Sequence, residues 1–486
     1  MISLIFSFIS GVLTGLSFNL PNFSFLVWIS IVPFIYAIRK GSLRTSIFSG
    51  VIFALSFYSI ALFWVANVTI LGLIILLFYL SSYSVIFSLI GKILYRKHLW
   101  LITFPSLWVV LEFLKENIWC GFSWANLGYS QYENFYLIQI ADLAGTKFIS
   151  FLIVMVNVLI LQVILFLIQR HNDLGIKKEI VKRVVFVIFV FVMVFSYSFN
   201  RLKNLKEVDS VEVSIVQPNI FQELKWEPFS RLKIVNILSD LGKETREDSL
   251  VIFPEASWPL IINESNFYEL EQFVSGLNRN VLIGAVVENG GKFFNEALLF
   301  DRQAKLVENY QKIKLVPYGE YVPLRKFLTF ISVFNSIGDM SRGDDFVSFP
   351  FKEKKFSVLI CFEDIFPKHV SRFARDNDFL INITNDAWFR GEPQASQHLS
   401  VITLRAVENR ISIIRSANTG ISGWVSFKGE IDRFRSGKKE VFFDGTKNFK
   451  ISLNKKRSFY NKYGEFFSFA CIFFLFIVFI RKKGSC

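Results

Sequence analysis

Three residue types that could together perform acyl chemistry each stand at the end of an apolar, strand-like run. The first is Cys361, which closes the stretch Phe356–Cys361. A β-branched and apolar run bounded by charge has the pattern of a short buried strand. Glu363, Asp364 and Pro367 follow it. A cysteine at a strand end with carboxylates just beyond is a candidate nucleophile, although a lone cysteine after such a strand is commonly inert packing. The second residue is Glu255, which follows Val251-Ile-Phe-Pro254. A surface glutamate is the plain reading. Shielded by Phe253, Pro254 and Trp258, its carboxyl would instead have a raised pKa and could act as a general base. The third lies in Tyr310–Pro323, where Lys312 and Lys314 alternate with Ile313 and Leu315. That alternation places both lysines on one face of a strand. The face is either solvated, or one ammonium lowers the Cys361 pKa and holds a tetrahedral oxyanion. Glu320, after the turn at Gly319, could position that ammonium.

Glu255, Lys312 and Cys361 supply a base, a cation and a nucleophile, the set that acyl transfer through a thioester needs. The sequence has no GxSxG nucleophile elbow and no Ser-His-Asp set. Its four cysteines are Cys120, Cys361, Cys471 and Cys486, and its four histidines are isolated. No CxxC or Cys/His spacing points to zinc. A disulfide between Cys120 and Cys361 would silence the nucleophile. Neither a metal nor a diffusible cofactor is expected.

These residues need positioning elements, and the composition says where to look for them. Of 486 residues, 52% are hydrophobic and 57 are Phe, and the mean hydropathy is +0.42. That is too apolar for a soluble chain of this length. The formal net charge is +14, but the basic residues gather beside apolar spans, where they orient helices in a membrane. No nucleic-acid module is visible, so nucleic acid is not an expected partner. A span needs about 20 apolar residues. The pattern predicts spans near 2–18, 24–38, 46–66, 68–91, 99–115, 147–168, 184–199 and 466–480. The first resembles a signal-peptide core but lacks a basic n-region and a cleavage site, so it is read as retained.

Alternate joints carry Arg39, Lys40 and Arg44; Lys92, Arg96 and Lys97; and Arg170, Lys177, Lys178, Lys182 and Arg183, while the tail carries Arg481, Lys482 and Lys483. The opposite joints, Asn19–Asn22 and Val65–Val68, carry none. The bias puts the basic joints and both termini in the cytoplasm. It puts the long segment after the seventh span outside, which in a bacterium means periplasmic or extracellular. The expected organisation is a membrane bundle over 1–199, an outer domain over 200–464, and a last span with a cytoplasmic tail over 465–486. The joint 116–146 would face outside, and its aromatic stretch 121–131 would be an interfacial belt or a lipid-entry wall.

Within 200–464 apolar runs shorten to strand length. Strands are predicted at Val211–Val216, Leu250–Phe253, Val281–Val287, Ala297–Phe300, Phe356–Cys361, Phe379–Thr384, Ile411–Arg415 and Ile421–Phe427. Helices are predicted at Phe229–Lys243, Phe267–Leu277, Lys368–Arg375 and Gln394–Asn409. Alternating strands and helices indicate one α/β domain. The polar loop 334–349 reads as a lid or as a plain surface loop.

The order PEAS at 254–257, YQKIKLVPYGEYVP at 310–323 and LICFEDIF at 359–366 resembles the nitrilase superfamily of carbon–nitrogen hydrolases, with its Glu-Lys-Cys triad. The spans and the VPYGEYVP form narrow the resemblance to the apolipoprotein N-acyltransferases. It extends over nearly the whole chain, through GFSWANLGYSQ at 121–131, QPNIFQELKW at 217–226, TNDAWF at 384–389, QHL at 397–399, RAVENR at 405–410 and ANTGIS at 417–422. The resemblance implies stacked α/β/β/α layers on a polytopic membrane bundle. It implies Glu255 as base, Lys312 as the lysine and Cys361 as nucleophile, with Glu320 and Glu363 as auxiliary glutamates and Trp226 on a loop over the site. Phe362 stands where a Tyr is common, Ser123 where Pro is frequent, and Arg390 where Gly usually follows. The implied substrates are a phospholipid acyl donor and the diacylglyceryl-cysteine of an apolipoprotein, handled by a monomer in the bacterial inner membrane. A membrane-anchored amidase with the same triad is the rival reading, but one anchor would suffice for it.

Overall fold

The computed structural model describes residues 1–19, 21–95, 99–119, 121–168, 174–323, 325 and 338–480. Cys120, Cys486, Arg96, Lys97, Arg170, Arg481, Lys482 and Lys483, with residues 334–337 of the polar loop, lie outside the described residues. The chain divides into two compact units, Met1–Asn204 with Lys462–Cys486, and Leu205–Asn461.

The first unit is helical. It contains α1 (Ile2–Asn19), α2 (Val32–Lys40), α3 (Leu43–Ala61), α4 (Ile70–Leu94), α5 (Trp100–Asn117), α6 (Thr146–Ile168) and α7 (Leu174–Asn204). Its C-terminal part adds the helix Phe466–Ile480. Among the described residues six stretches are long and apolar enough to cross a membrane, namely α1, Asn22–Lys40, α3, α4, α6 and α7. Two of the eight expected spans fall short of this. Phe466–Ile480 has 15 residues, about 22 Å of helix at a rise of 1.5 Å per residue. Helix α5 carries Glu112, Lys115 and Glu116, all buried.

Buried charge is tolerated only with partners, and these charges have them. Lys147 pairs with Glu116 and, at 2.8 Å, with Glu465. Glu112 accepts the Trp108 ring N–H and the Leu127 N–H, each at 2.9 Å. Lys115 donates to the Trp124 carbonyl at 3.0 Å. Ser123 and Asn126 donate to Glu116 at 2.6 and 2.7 Å. Serving these carboxylates turns the segment 121–131 inward, so Trp124 and Tyr129 are buried in the unit. They do not form the expected aromatic belt or lipid-entry wall.

The second unit is an α/β/β/α sandwich. In chain order it contains β1 (Asp209–Gln217), α8 (Arg231–Lys243), β2 (Leu250–Ile252), β3 (Ile261–Ile262), α9 (Phe267–Leu277), β4 (Asn280–Asn289), β5 (Lys292–Phe300) and β6 (Leu306–Gln311). There follow β7 (Phe349–Phe351), β8 (Lys354–Ile360), α10 (Pro367–Arg375), β9 (Phe379–Thr384), α11 (Glu392–Asn409), β10 (Ser412–Ala417), β11 (Gly423–Val425), β12 (Ile431–Arg433) and β13 (Gly445–Leu453). One sheet runs β13-β1-β2-β4-β5-β6, with β3 beside β4, and the other runs β12-β11-β10-β9-β8-β7.

Side chains of period two build the layers. Leu250 and Ile252 of β2 and Leu282 of β4 face the core between the sheets, where they meet Val358 of β8 and Ile381 of β9. Val251, Val281 and Ile283 face the other way, under α8 and α9. Helices α10 and α11 cover the second sheet with Val370, Phe373, Leu399 and Ile402. The sheets are also pinned by Ser416, which donates to the carbonyls of Val216 and Ile252 at 3.2 and 3.1 Å. Strands β1, β2 and β4 are parallel, as are β8, β9 and β10. Because β5 is antiparallel to both β4 and β6, β6 points the same way as β2. The C-terminal ends of β2 and β6 therefore lie on one edge of the first sheet.

Candidate active site

Glu255, Lys312 and Cys361 each sit just beyond the C-terminal end of a strand: β2 ends at Ile252, β6 at Gln311 and β8 at Ile360. In open α/β sheets this edge is where ligands bind. Glu255 is placed by a tight turn laid directly on β4. A Cβ on Gly284 would come within 2.5 Å of the Ala256 nitrogen and 2.7 Å of the Glu255 Cα, so only glycine admits the turn.

Glu255 is buried, and Phe253 and Trp258 beside it are buried too. Its Oε1 lies 3.2 Å from Lys312 Nζ and accepts the Asn295 amide at 2.8 Å. Its Oε2 accepts the Asn385 backbone N–H at 2.9 Å. Lys312 Nζ also reaches Glu320 Oε1 at 2.9 Å. Burial alone would lower the Lys312 pKa. The Glu255 and Glu320 carboxylates, with Cys361, outweigh it and hold the group well above its ordinary value, so it is an ammonium.

Cys361 is a free, partly exposed thiol. Its φ is +54°, left-handed for a residue with a Cβ, a conformation that costs on the order of 1–3 kcal/mol and persists only where the surroundings enforce it. The 3-10 turn Cys361–Ile365 begins at this residue, and Asn382 donates to its carbonyl at 3.1 Å. Burial pushes the thiol pKa well up and Glu255 pushes it further. Lys312 opposes them, Asp386 raises it again, and a Thr384 hydrogen bond lowers it. The thiol is therefore a neutral S–H at rest, and it needs a base to become a nucleophile.

The other expected residues are placed differently. Glu363 is completely buried. It accepts the Tyr310 hydroxyl at 2.7 Å and the N–H groups of Ile313, Lys314 and Ile360 at 2.9, 3.0 and 2.8 Å. Those bonds also correct the expectation that Lys312 and Lys314 share a strand face. Glu363 captures the backbone after Gln311, and β6 stops there. Lys312 then turns inward at 1% exposure, whereas Lys314 is exposed, with its ammonium 5.4 Å from the centre of the Phe366 ring. Phe362 packs edge-on against Phe366, with ring centres 5.2 Å apart. Trp226 is 44% exposed on the irregular segment after β1.

The sequence reading assigned no role to several residues that complete the cluster. Asn295 bridges Glu255 and Glu320, and the only hint of it was a polar pair, Asn295 and Glu296, inside an apolar strand. Asn385 belongs to the TNDAWF stretch. Lys225 precedes Trp226 and is buried, with Nζ 3.4 Å from the Glu255 carbonyl. Burial pulls its pKa down to about 8 while Glu255 opposes. Among the described residues no group of three His, Cys, Asp or Glu side chains gathers as a metal site.

Residues 10–159 match the family described as apolipoprotein N-acyltransferase N-terminal domain, and residues 212–442 match carbon-nitrogen hydrolase. A Geobacter metallireducens protein named apolipoprotein N-acyltransferase is 34% identical, covering 96% of this chain and 92% of its own. The chain belongs to the apolipoprotein N-acyltransferase family. Further members are a Haemophilus influenzae protein, 28% identical over 98% of this chain and 95% of its own, and a Thermotoga maritima protein, 28% identical over 100% and 95%. The family assignment makes the chain an acyltransferase with a nitrilase-like domain. Among solved structures, an amidase from Nesterenkonia sp. is 14% identical, covering 51% of this chain and 93% of its own with a TM-score of 0.38. Nit3 of Saccharomyces cerevisiae is 17% identical, covering 51% and 91% with a TM-score of 0.37.

Proposed function

We propose that this protein moves a fatty acyl chain from a membrane phospholipid, through a thioester on Cys361, to the amino group of the diacylglyceryl-cysteine of an apolipoprotein. One observation carries the reading: an ammonium, Lys312, is ion-paired to Glu255 beside a thiol on a left-handed turn. The names of the relatives supply the acceptor class.

In the first half-reaction the Glu255 carboxylate takes the proton from Cys361 Sγ, and the sulfur attacks the ester carbonyl of the phospholipid. The carbonyl oxygen becomes an oxyanion, held by the Lys312 ammonium and a backbone N–H. Collapse breaks the ester C–O bond. Glu255 returns its proton to the departing glycerol oxygen, and a lysophospholipid leaves. In the second half-reaction Glu255 takes a proton from the incoming amine, whose nitrogen attacks the thioester carbonyl. Collapse breaks the C–S bond, the proton goes back to sulfur, and the product is an amide.

The basic joints favour a catalytic unit on the outer side of a bacterial inner membrane. The test is the intact mass of the full-length protein after incubation with one defined phospholipid, then with a diacylglyceryl lipopeptide. The expected result is one added acyl mass, absent in Cys361→Ala and lost from the wild type on adding the lipopeptide. Acylation of Cys361→Ala to the same extent, or release of free fatty acid with no acylated lipopeptide, would overturn the reading.

A further inference from the structure

A buried polar assembly packs against the Cys361 turn and has no part in the chemistry described above. Its centre is Arg415 on β10, 1% exposed. Its guanidinium donates to the Ile421 carbonyl at 3.0 Å, to Asn382 Oδ1 at 2.8 Å and to Asp386 Oδ2 at 2.5 Å. It also lies 2.9 Å from His398 Nδ1. The ring Nδ1 also lies 3.5 Å from Asp386 Oδ1, and Nε2 is the opposite ring nitrogen. That Nε2 faces Asp364 at 2.9 Å.

Two arms run from Arg415 back to the nucleophile. In one, Asn382 accepts from Arg415 and donates to the carbonyls of Cys361 and Leu359 at 3.1 and 3.3 Å. In the other, His398 holds Asp364, which stands three residues after Cys361 on the same 3-10 turn. The loop closes on the residue whose backbone is left-handed. The site of Asp386 is built for a carboxylate: Gln394 donates to its Oδ1 at 3.1 Å, and a Cβ on Gly420 would lie 2.1 Å from its Oδ2.

The same assembly carries charge. The groups that act on the Cys361 sulfur are Glu255 after β2, Lys312 after β6 and Asp386 after β9, with a hydrogen bond from Thr384. Asp386 pushes the thiol toward its neutral form. Against its burial, Arg415 and His398 hold the Asp386 carboxyl well below its ordinary value, so it is fully ionised. Arg415 is its paired cation.

We propose that Arg415, with Asp386 and His398, is a positioning network for the nucleophile, fixing the Cys361 turn and offsetting the Asp386 charge at the sulfur. The inference rests on the reading of Cys361 as the nucleophile.

The experiment follows iodoacetamide alkylation of Cys361 in the full-length, detergent-solubilised protein against pH, read as the mass of the Cys361 peptide. Thermal melts establish that each variant is folded. In Arg415→Met the Asp386 charge loses its guanidinium partner. The alkylation profile moves upward by about one pH unit, so alkylation below the midpoint slows roughly tenfold. In Asp386→Asn the Arg415 charge keeps only Asp364, 3.9 Å away, as a carboxylate partner, and the profile moves downward. A purely structural role would move both profiles the same way. Shifts of the same sign, or no shift in folded variants, overturn the proposal. If Arg415→Met does not fold, Asp386→Asn decides it: a lowered midpoint supports the network, and an unchanged or raised one overturns it. A wild-type protein that takes no acyl chain from phospholipid would overturn the functional reading but leave this measurement standing.

Discussion

Lys312 Nζ lies 2.9 Å from Glu320 Oε1, closer than the 3.2 Å that separates it from Glu255 Oε1. The ammonium is shared between two carboxylates, and Asn295 bridges the same two oxygens. The other oxygen of Glu320 is fixed by the Val316 N–H at 2.8 Å. Glu320 thus anchors the lysine, and in the proposed mechanism it is Glu255 that exchanges protons. In Glu320→Gln the shape stays and the charge goes. The expected outcome is a roughly 10²-fold slower acyl-enzyme formation, on the scale of removing one oxyanion donor. Stability should fall by about 1–3 kcal/mol for the weakened buried bond. Initial rates and thermal melts check both, and a wild-type rate in the variant would remove Glu320 from the site.

The two lysines of the Tyr310–Pro323 stretch separate by burial. Lys312 is paired with two carboxylates, Glu255 and Glu320, in a closed space, and a planar guanidinium cannot replace its compact ammonium there. Lys312→Arg is expected to lose about 10²–10³-fold in acylation rate. Lys314→Ala removes an exposed charge, so its effect on stability should stay within about 0.5 kcal/mol and its acylation rate near the wild type. Equal losses in the two variants would mean that the wrong lysine has been assigned.

Much of the fold was legible because it rests on local pattern. Apolar runs of strand length, interspersed with helical stretches, announced the α/β unit. Where a strand is half polar the signal failed: in β13 only Phe449, Ile451 and Leu453 are buried, and Lys447 before them and Lys450 among them read as loop. The stop of β6 at Gln311 was not legible either, because the cause is Glu363, about fifty residues away. Helix α5 reads as a span by its apolar content, yet its charges are matched only by tertiary partners such as Lys147. At the site, a strand end followed by Cys or Glu is visible in one dimension. The residues that tie those ends together, Asn295, Asn385 and Arg415, are ordinary polar letters until the sheets stack. Arg390, which by the resemblance stands at a glycine position, has a φ of +50°, a conformation that glycine adopts at no cost.

Asn295 offers a separate test of how the carboxylates are held. Its side-chain amide is the one neutral donor to both Glu255 and Glu320 among the described contacts. In Asn295→Leu the volume is similar, but the buried Glu255 and the half-buried Glu320 each lose a donor. The expected cost is about 1–3 kcal/mol in unfolding free energy, with slower acylation and an unchanged phospholipid concentration dependence. A denaturant melt and a substrate titration check it. A variant as stable and as fast as the wild type would make Asn295 a bystander.

Glu363 makes the last prediction, and it concerns pH. Burial would raise its pKa, but His369, whose Nε2 lies 3.3 Å away, and the backbone N–H donors outweigh burial and bring it below its ordinary value near 4.5. The sign follows from linkage. With a folded pKa below the unfolded one, the ionised carboxylate contributes stability that is fully present above the ordinary value and is lost as pH falls through the folded value. Glu363→Gln keeps the size but presents an amide to donors that need an acceptor. At neutral pH the variant should be about 1–3 kcal/mol less stable than the wild type. In acid below the folded-state value the two should converge, since the wild type has then lost its charge as well. Urea unfolding of both proteins at neutral and at acid pH measures the gap. A gap of the same size at both would mean that the Glu363 charge does not hold the turn that presents Cys361.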